Sequence, residues 1–154
     1  NVGCRIGRGA TVGYTKSTVP VDMRTFVQSL FEAVGVFRWL DDEVLFHPAT
    51  ALVGSVPAFM FVAMKALVEA GVSQGLPPVV ARDLAIATVE GSAGLADTQT
   101  ASFDELRLSV SSPGGTTVAG LGVLEERDFE STIIDAFRAA AVRSAELARE
   151  AGTR

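Results

Sequence analysis

From Val44 to Met64 the chain carries no aspartate, glutamate, lysine or arginine, and the apolar character runs on to Ala70. A stretch that long without charge has to be covered, by a bilayer, by the protein's own core or by a partner. The bilayer is disfavoured by what lies inside the run: His47, Pro48, Thr50, Gly54, Ser55 and Pro57. Proline lacks the N–H that continues a helix, so two of them are expected to break the span into short pieces. The expectation is a buried helix in a soluble protein or oligomer, with no membrane. In a chain of 154 residues, so large an apolar region calls for a partner chain to cover it.

Composition narrows the class further. Apolar residues make up 48% of the chain but aromatics only 7%, because alanine, valine and leucine supply the bulk. Small apolar residues in that quantity favour closely packed helices over a β-sandwich. The net charge is −5 and no basic patch exists, which argues against a nucleic-acid partner. Cys4 stands alone, so no internal disulfide can form and a reducing compartment, the cytoplasm, is expected. With one histidine and one cysteine, no metal site is expected. Asn1 rather than methionine opens the chain, which is therefore expected to be the later part of a longer protein.

Residues 10–16 are β-prone, with threonines, valine and tyrosine after a glycine-rich start. Pro20 and Asp22 open a segment whose apolar positions Phe26, Leu30, Phe31 and Val34 recur at helical spacing, ended by Gly35. Val36 to Leu40 follows as a short strand. Strand, helix and strand over about 30 residues is the βαβ pattern, and two strands cannot stand alone. From Asp41 the pattern turns helical. Residues 57–70 are apolar nearly all round, which marks a helix buried on most sides, with Gly71 placed as its C-terminal cap. Leu76-Pro77-Pro78 restarts the chain as a helix over about 78–97. Its Ala81, Ala85, Gly91 and Gly94 would let a neighbouring helix come close. Ser102 with Glu105 forms a capping box for a short helix to about Val110. Helices over about 116–126 and from Asp128 onward complete the chain, the last with Ile133, Ile134, Phe137, Ala140, Ala141, Ser144 and Leu147 facing inward.

Between two of these helices lies Ser112-Pro113-Gly114-Gly115-Thr116-Thr117. Two glycines let the backbone curl, and the helix that follows leaves its first N–H groups unpaired at a positive dipole end. Such a turn is an anion seat. No lysine or arginine lies between Arg107 and Arg127, so the seat suits a small carboxylate better than a polyphosphate.

The run Leu108 to Thr117, then Leu121, Leu124-Glu125 and Phe129, resembles the signature of pyrroline-5-carboxylate reductases. Ala51 to Phe59 is similar to that family's Gly-Ser-Gly-Pro-Ala-aromatic segment. Gly71 to Pro77 resembles its Gly-(x)4-Leu-Pro turn, and Gly91-Ser92-Ala93 its small-residue helix. The resemblance implies NADPH- or NADH-dependent reduction of 1-pyrroline-5-carboxylate to L-proline. It implies a mainly α chain: residues 1–41 as the βαβ remnant of a dinucleotide-binding Rossmann domain, and residues 42–154 as an all-helical bundle that interlocks as a homodimer, or a ring of such dimers. Ser112, Gly114, Gly115, Thr116 and Thr117 would hold the carboxylate of the cyclic imine, with Thr117 and Thr50 as the candidate catalytic contacts. The cofactor would be held mainly by residues upstream, since Gly7-Arg8-Gly9 is too short for a dinucleotide turn and follows no strand.

The chain departs from the family pattern at Val56, where a glycine is usual, at His47, where an aspartate is common, and at Thr100-Ala101, in place of a Glu-His pair. These leave two alternatives: a dimerisation module without chemistry, or a related reductase of another imine or acid. His47 beside Pro48 reads as a packed or capping residue rather than a catalyst, and Cys4 as a small hydrophobe. Phe59-Met60-Phe61 and Met64 read as core or dimer interface.

Overall fold

The structure, a computed structural model, describes residues 1–16 and 18–152. Ser17, Thr153 and Arg154, which fall within the expected segments 1–41 and 42–154, lie outside the described residues. After a 3-10 helix at Val2–Ile6, strand β1 (Gly9–Gly13) leads to helix α1 (Val21–Glu32) and strand β2 (Gly35–Trp39). The two strands are parallel, in register from Gly9 against Gly35 to Gly13 against Trp39, so the βαβ unit read from the sequence is present. β1 is shorter than the expected 10–16 because its partner ends: the Leu40 N–H donates to Gly13 O at 2.7 Å, and beyond it no strand faces Tyr14 to Lys16. Phe37, only 2% exposed, is the anchor of the unit. It stacks on Phe31 of α1 at 5.7 Å and meets Trp39 edge-on at 4.9 Å, both favoured ring geometries. The Arg24 guanidinium lies over the Trp39 ring at 4.8 Å.

The helical part begins where the Asp42 carboxylate accepts the Val44 N–H at 3.0 Å, a side-chain cap of the usual kind. A 3-10 turn, α2 (Phe46–Thr50), a π-helical turn (Ala51–Ser55) and α3 (Val56–Ser73) then run on without interruption. The two prolines therefore do not break the span, contrary to the expectation. Pro48 falls within the first turn of α2, where a missing N–H costs little. Pro57 follows the π turn, and the carbonyl its absent N–H would have served, Val53 O, accepts instead from Asn1 Nδ2 at 2.8 Å.

The same helix is not covered within its own chain, in keeping with the expected need for a partner. α3 has no buried residue; Phe61 is 60% and Val62 71% exposed. By length and composition Glu43–Ser73 could cross a membrane, and only 6% of that window is buried within the chain. The all-round apolar composition is real, but what covers it is not supplied by this chain. The stripe of small residues on α4 (Pro78–Thr98) tells the same story. Ala81 and Ala85 are buried, whereas a methyl group added at Gly91 or Gly94 would meet nothing within 4 Å.

Gly71 is not the cap of α3. The helix passes through it to Ser73, and Gly75, at φ +97°, takes the left-handed position. Leu76 N–H donates to Gly71 O at 3.1 Å and Gly75 N–H to Val72 O at 3.0 Å, the bond pair of a Schellman motif.

Helix α5 (Phe103–Ser109) opens on the capping box read from the sequence. Ser102 N–H donates to Glu105 Oε2 at 2.7 Å, and Glu105 N–H donates to Ser102 Oγ at 3.2 Å. The Ser102 N–H and then its hydroxyl hold the Glu105 carboxyl below the ordinary glutamate range. A depressed folded value means the box stabilises α5 above the ordinary glutamate range and is lost as pH falls through the depressed value. The Ser102 amide resonance should therefore titrate below the range of a free glutamate, and Glu105→Gln should abolish that titration while keeping the helix. A midpoint at the ordinary glutamate value would show the box open.

Helices α6 (Thr116–Glu126) and α7 (Phe129–Gly152) follow. The inward stripe expected on α7 is only half realised: Ile133, Phe137, Ala140, Ala141 and Ser144 are half-buried, while Ile134 and Leu147 are 41% and 51% exposed. The described chain forms two compact units, residues 1–58 with 133–154, and residues 59–132.

Candidate functional site

In the second unit, α5 ends at Ser109 and the chain turns into α6 within a few residues. The Ser111 N–H donates to Leu108 O at 3.0 Å and the Ser111 hydroxyl to Arg107 O at 2.6 Å, so Ser111 is committed to closing α5. Pro113 carries the chain to Gly114, whose φ of +70° is the left-handed conformation that glycine adopts without penalty. Gly115 N–H then donates back to Ser112 O at 2.9 Å, closing the turn. A methyl group at Gly115 would lie 2.5 Å from Ser112 Oγ and 3.0 Å from Ser112 O. The diglycine is thus needed twice, once for conformation and once for space.

Gly115 is the N-cap of α6 and makes no side-chain cap. The first helical bond runs from Ala119 N–H to Gly115 O at 3.3 Å, so the N–H groups of Thr116, Thr117 and Val118 have no carbonyl partner. Ser112, Thr116 and Thr117 are all exposed. The nearest cation before the turn, Arg107, is paired with Asp104 at 3.2 Å. Ser112, Gly114, Gly115, Thr116 and Thr117 thus share one turn that presents backbone and hydroxyl donors, chemistry suited to a carboxylate.

Thr50 belongs to the first unit, at the end of α2 and directly before the π turn. It is exposed. Val56 closes that turn by donating its N–H to Ala51 O. His47 Nδ1 lies 3.2 Å from Ser144 Oγ, which ties α2 to α7 and is a packing role. Gly7-Arg8-Gly9 does not have the strand-then-helix order of a dinucleotide turn: Gly7 caps the 3-10 helix and the chain then enters β1. These residues do not fit a nicotinamide cofactor. Among the described residues no group of three or more histidine, cysteine, aspartate or glutamate side chains could hold a metal ion. The residue that sequence reasoning undervalued is Asn1. Its signal was Pro57, a proline in a helical run that leaves a carbonyl in need of a donor.

A parallel βαβ unit leading into helices with open apolar faces defines a mainly helical domain with exposed apolar surface. A family model described as pyrroline-5-carboxylate reductase dimerisation matches residues 43–147. The chain belongs to the pyrroline-5-carboxylate reductase family. Pyrroline-5-carboxylate reductase of Pisum sativum is 37% identical over 96% of this chain and 54% of its own length. That of Pseudomonas aeruginosa is 36% identical over 99% of this chain and 56% of its own. Among solved structures, the Coxiella burnetii reductase superposes with a TM-score of 0.89 at 37% identity, over 92% of this chain and 53% of the other. The Plasmodium falciparum enzyme, solved with NADP bound, gives 0.86 at 28% identity over 94% and 58%. The chain spans about half the length of the relatives it matches.

Proposed function

We propose that this chain is the substrate-binding and dimerisation part of an enzyme that reduces 1-pyrroline-5-carboxylate to L-proline with NADPH or NADH. Residues 1–41 are read as the end of a dinucleotide-binding domain and residues 42–154 as the helical domain. The observation that carries the reading is the open fan of N–H groups at Thr116, Thr117 and Val118, held by Gly114 and Gly115 in a turn without a cation. The carboxylate of the cyclic imine sits on these donors and on the hydroxyls of Ser112, Thr116 and Thr117, which fixes the ring for attack at its C=N carbon, a positional contribution. The family resemblance alone adds Thr50 as a candidate polar contact to the substrate. A cyclic imine protonates readily in water, so no side-chain acid is required. The cofactor supplies the hydride and is bound mainly outside these residues. The apolar faces of α3, α4 and α6 are covered by a second copy, giving a homodimer or a ring of dimers.

The full-length protein should oxidise NADPH or NADH only when the cyclic imine is present. Saturable thermal stabilisation of this chain by proline or a ring-carboxylate analogue checks the carboxylate seat separately. Val56, half-buried at the π turn where the family has glycine, favours the second reading, a dimerisation module without chemistry. Full-length protein that dimerises, shows no shift with ring carboxylates and does not turn over would establish that reading instead.

A further inference from the structure

Pro57 leaves Val53 O without the N–H that an α-helix would return to it, and the π turn Ala51–Ser55 sits immediately before this fault. π turns are rare and occur mostly as single-turn bulges within α-helices, frequently at functional sites. Here a donor comes from far along the chain. Asn1 Nδ2 donates to Val53 O at 2.8 Å, while Asn1 Oδ1 accepts from the Ala10 N–H of β1 at 3.4 Å. One side-chain amide therefore joins β1 to the π turn, using its donor on the helix and its acceptor on the strand. Thr50 is the residue from which that turn starts.

We infer that Asn1 is a positioning residue for the reaction: it locks the π turn by satisfying the carbonyl that Pro57 abandons, and so fixes where Thr50 stands. The inference rests on the reading of Thr50 as a substrate contact. Asn1→Asp is the informative variant, because it keeps size and acceptor but replaces the donor with a carboxylate facing a carbonyl. Pro57→Ala is its complement, since it restores an N–H able to serve Val53 O.

Both variants, their combination and Thr50→Ala are to be made in the full-length protein. The readouts are imine kinetics at saturating NADPH and hydrogen exchange of the Val56 amide, which closes the π turn. Asn1→Asp should speed Val56 exchange about tenfold, the scale of one neutral hydrogen bond. It should lower kcat/KM for the imine by a similar factor and leave KM for NADPH unchanged. In the Pro57→Ala background both losses should shrink to less than about threefold, because the carbonyl has regained a partner. Unchanged Val56 exchange, or equal losses in both backgrounds, overturns the lock. Unchanged kinetics in Asn1→Asp beside a loss in Thr50→Ala overturns the positioning role. Faster exchange with unaltered kinetics in both Asn1→Asp and Thr50→Ala supports the lock and overturns Thr50 as the substrate contact instead.

Discussion

Gly115→Ala in the full-length enzyme should raise KM for the cyclic imine about a hundredfold while leaving the fold intact. The added methyl would lie 3.0 Å from Ser112 O as well as 2.5 Å from Ser112 Oγ. A side-chain hydroxyl can rotate away, but the carbonyl is backbone and is held by the Gly115 N–H at 2.9 Å. Relief must therefore come from opening the turn, which swings the N–H groups of Thr116 and Thr117 off the carboxylate. A hydrogen bond to a charged group contributes about 1.5–3 kcal/mol, so weakening two of them accounts for the factor. Gly114→Ala is the contrasting control. Nothing lies within 4 Å of its added methyl, but its φ of +70° makes alanine cost about 1–2 kcal/mol of backbone strain. That cost should appear mainly in thermal stability, with a smaller change in KM. If the two variants behave alike, the seat is not where the carboxylate binds.

The parts of this molecule legible in its sequence are those where neighbouring residues decide the outcome. The capping box of Ser102 and Glu105 needs only residues three apart, and it forms as read. The start of α6 at Thr116 follows from the diglycine, and the βαβ unit from a β-prone segment, a helically spaced one and a second short strand, a reading that the parallel ladder bears out. What stayed hidden depends on distant partners. Pro57 alone predicts a break; the helix continues, and Asn1, remote in sequence, donates to the carbonyl that the proline leaves. Gly71 and Gly75 both suit a helix end, and only the bonds from Gly75 and Leu76 choose between them. On α7 the spacing of Ile134 and Leu147 announces an apolar stripe but not whether the chain itself covers it. On the same helix Arg143 bonds Glu146 at 2.8 Å and Glu150 at 2.9 Å, and these bonds, Glu146 first, raise its already high pKa. Exposed pairs of this kind contribute little to stability.

The second large effect concerns that uncovered surface, and Val62→Lys should separate the chain into monomers. Alone, the chain exposes 11,579 Å², against about 7,400 Å² for a folded monomer of its mass. The excess, roughly 4,000 Å² on one chain, is more than the roughly 1,000–2,500 Å² that each partner contributes to an obligate dimer interface. Its chemistry is apolar, with Phe61, Val62 and Leu67 on α3 and Val118, Val123 and Leu124 on α6 all exposed. A groove of about 560 Å³ between α3 and α4, walled by Phe61, Met64, Val68 and Ile86, has the charged groups of Lys65, Glu69 and Arg82 at its edge. Lys65 and Glu69 pair there at 2.8 Å, inside the stretch that a bilayer would have to hold. A second copy accommodates an apolar floor with a charged rim, as protein interfaces do; hydrocarbon does not. The wild-type chain should therefore sediment near twice 16.1 kDa without detergent. Val62 is 71% exposed, so lysine there removes almost no contact within one chain. In the dimer it places an unpaired charge in an apolar contact, at a cost of several kcal/mol, which weakens association more than a hundredfold. Because an obligate dimer has little stability apart from its partner, Tm should also fall and become concentration-dependent. A wild-type chain that stays monomeric and partitions into lipid vesicles would assign the apolar face to the bilayer instead.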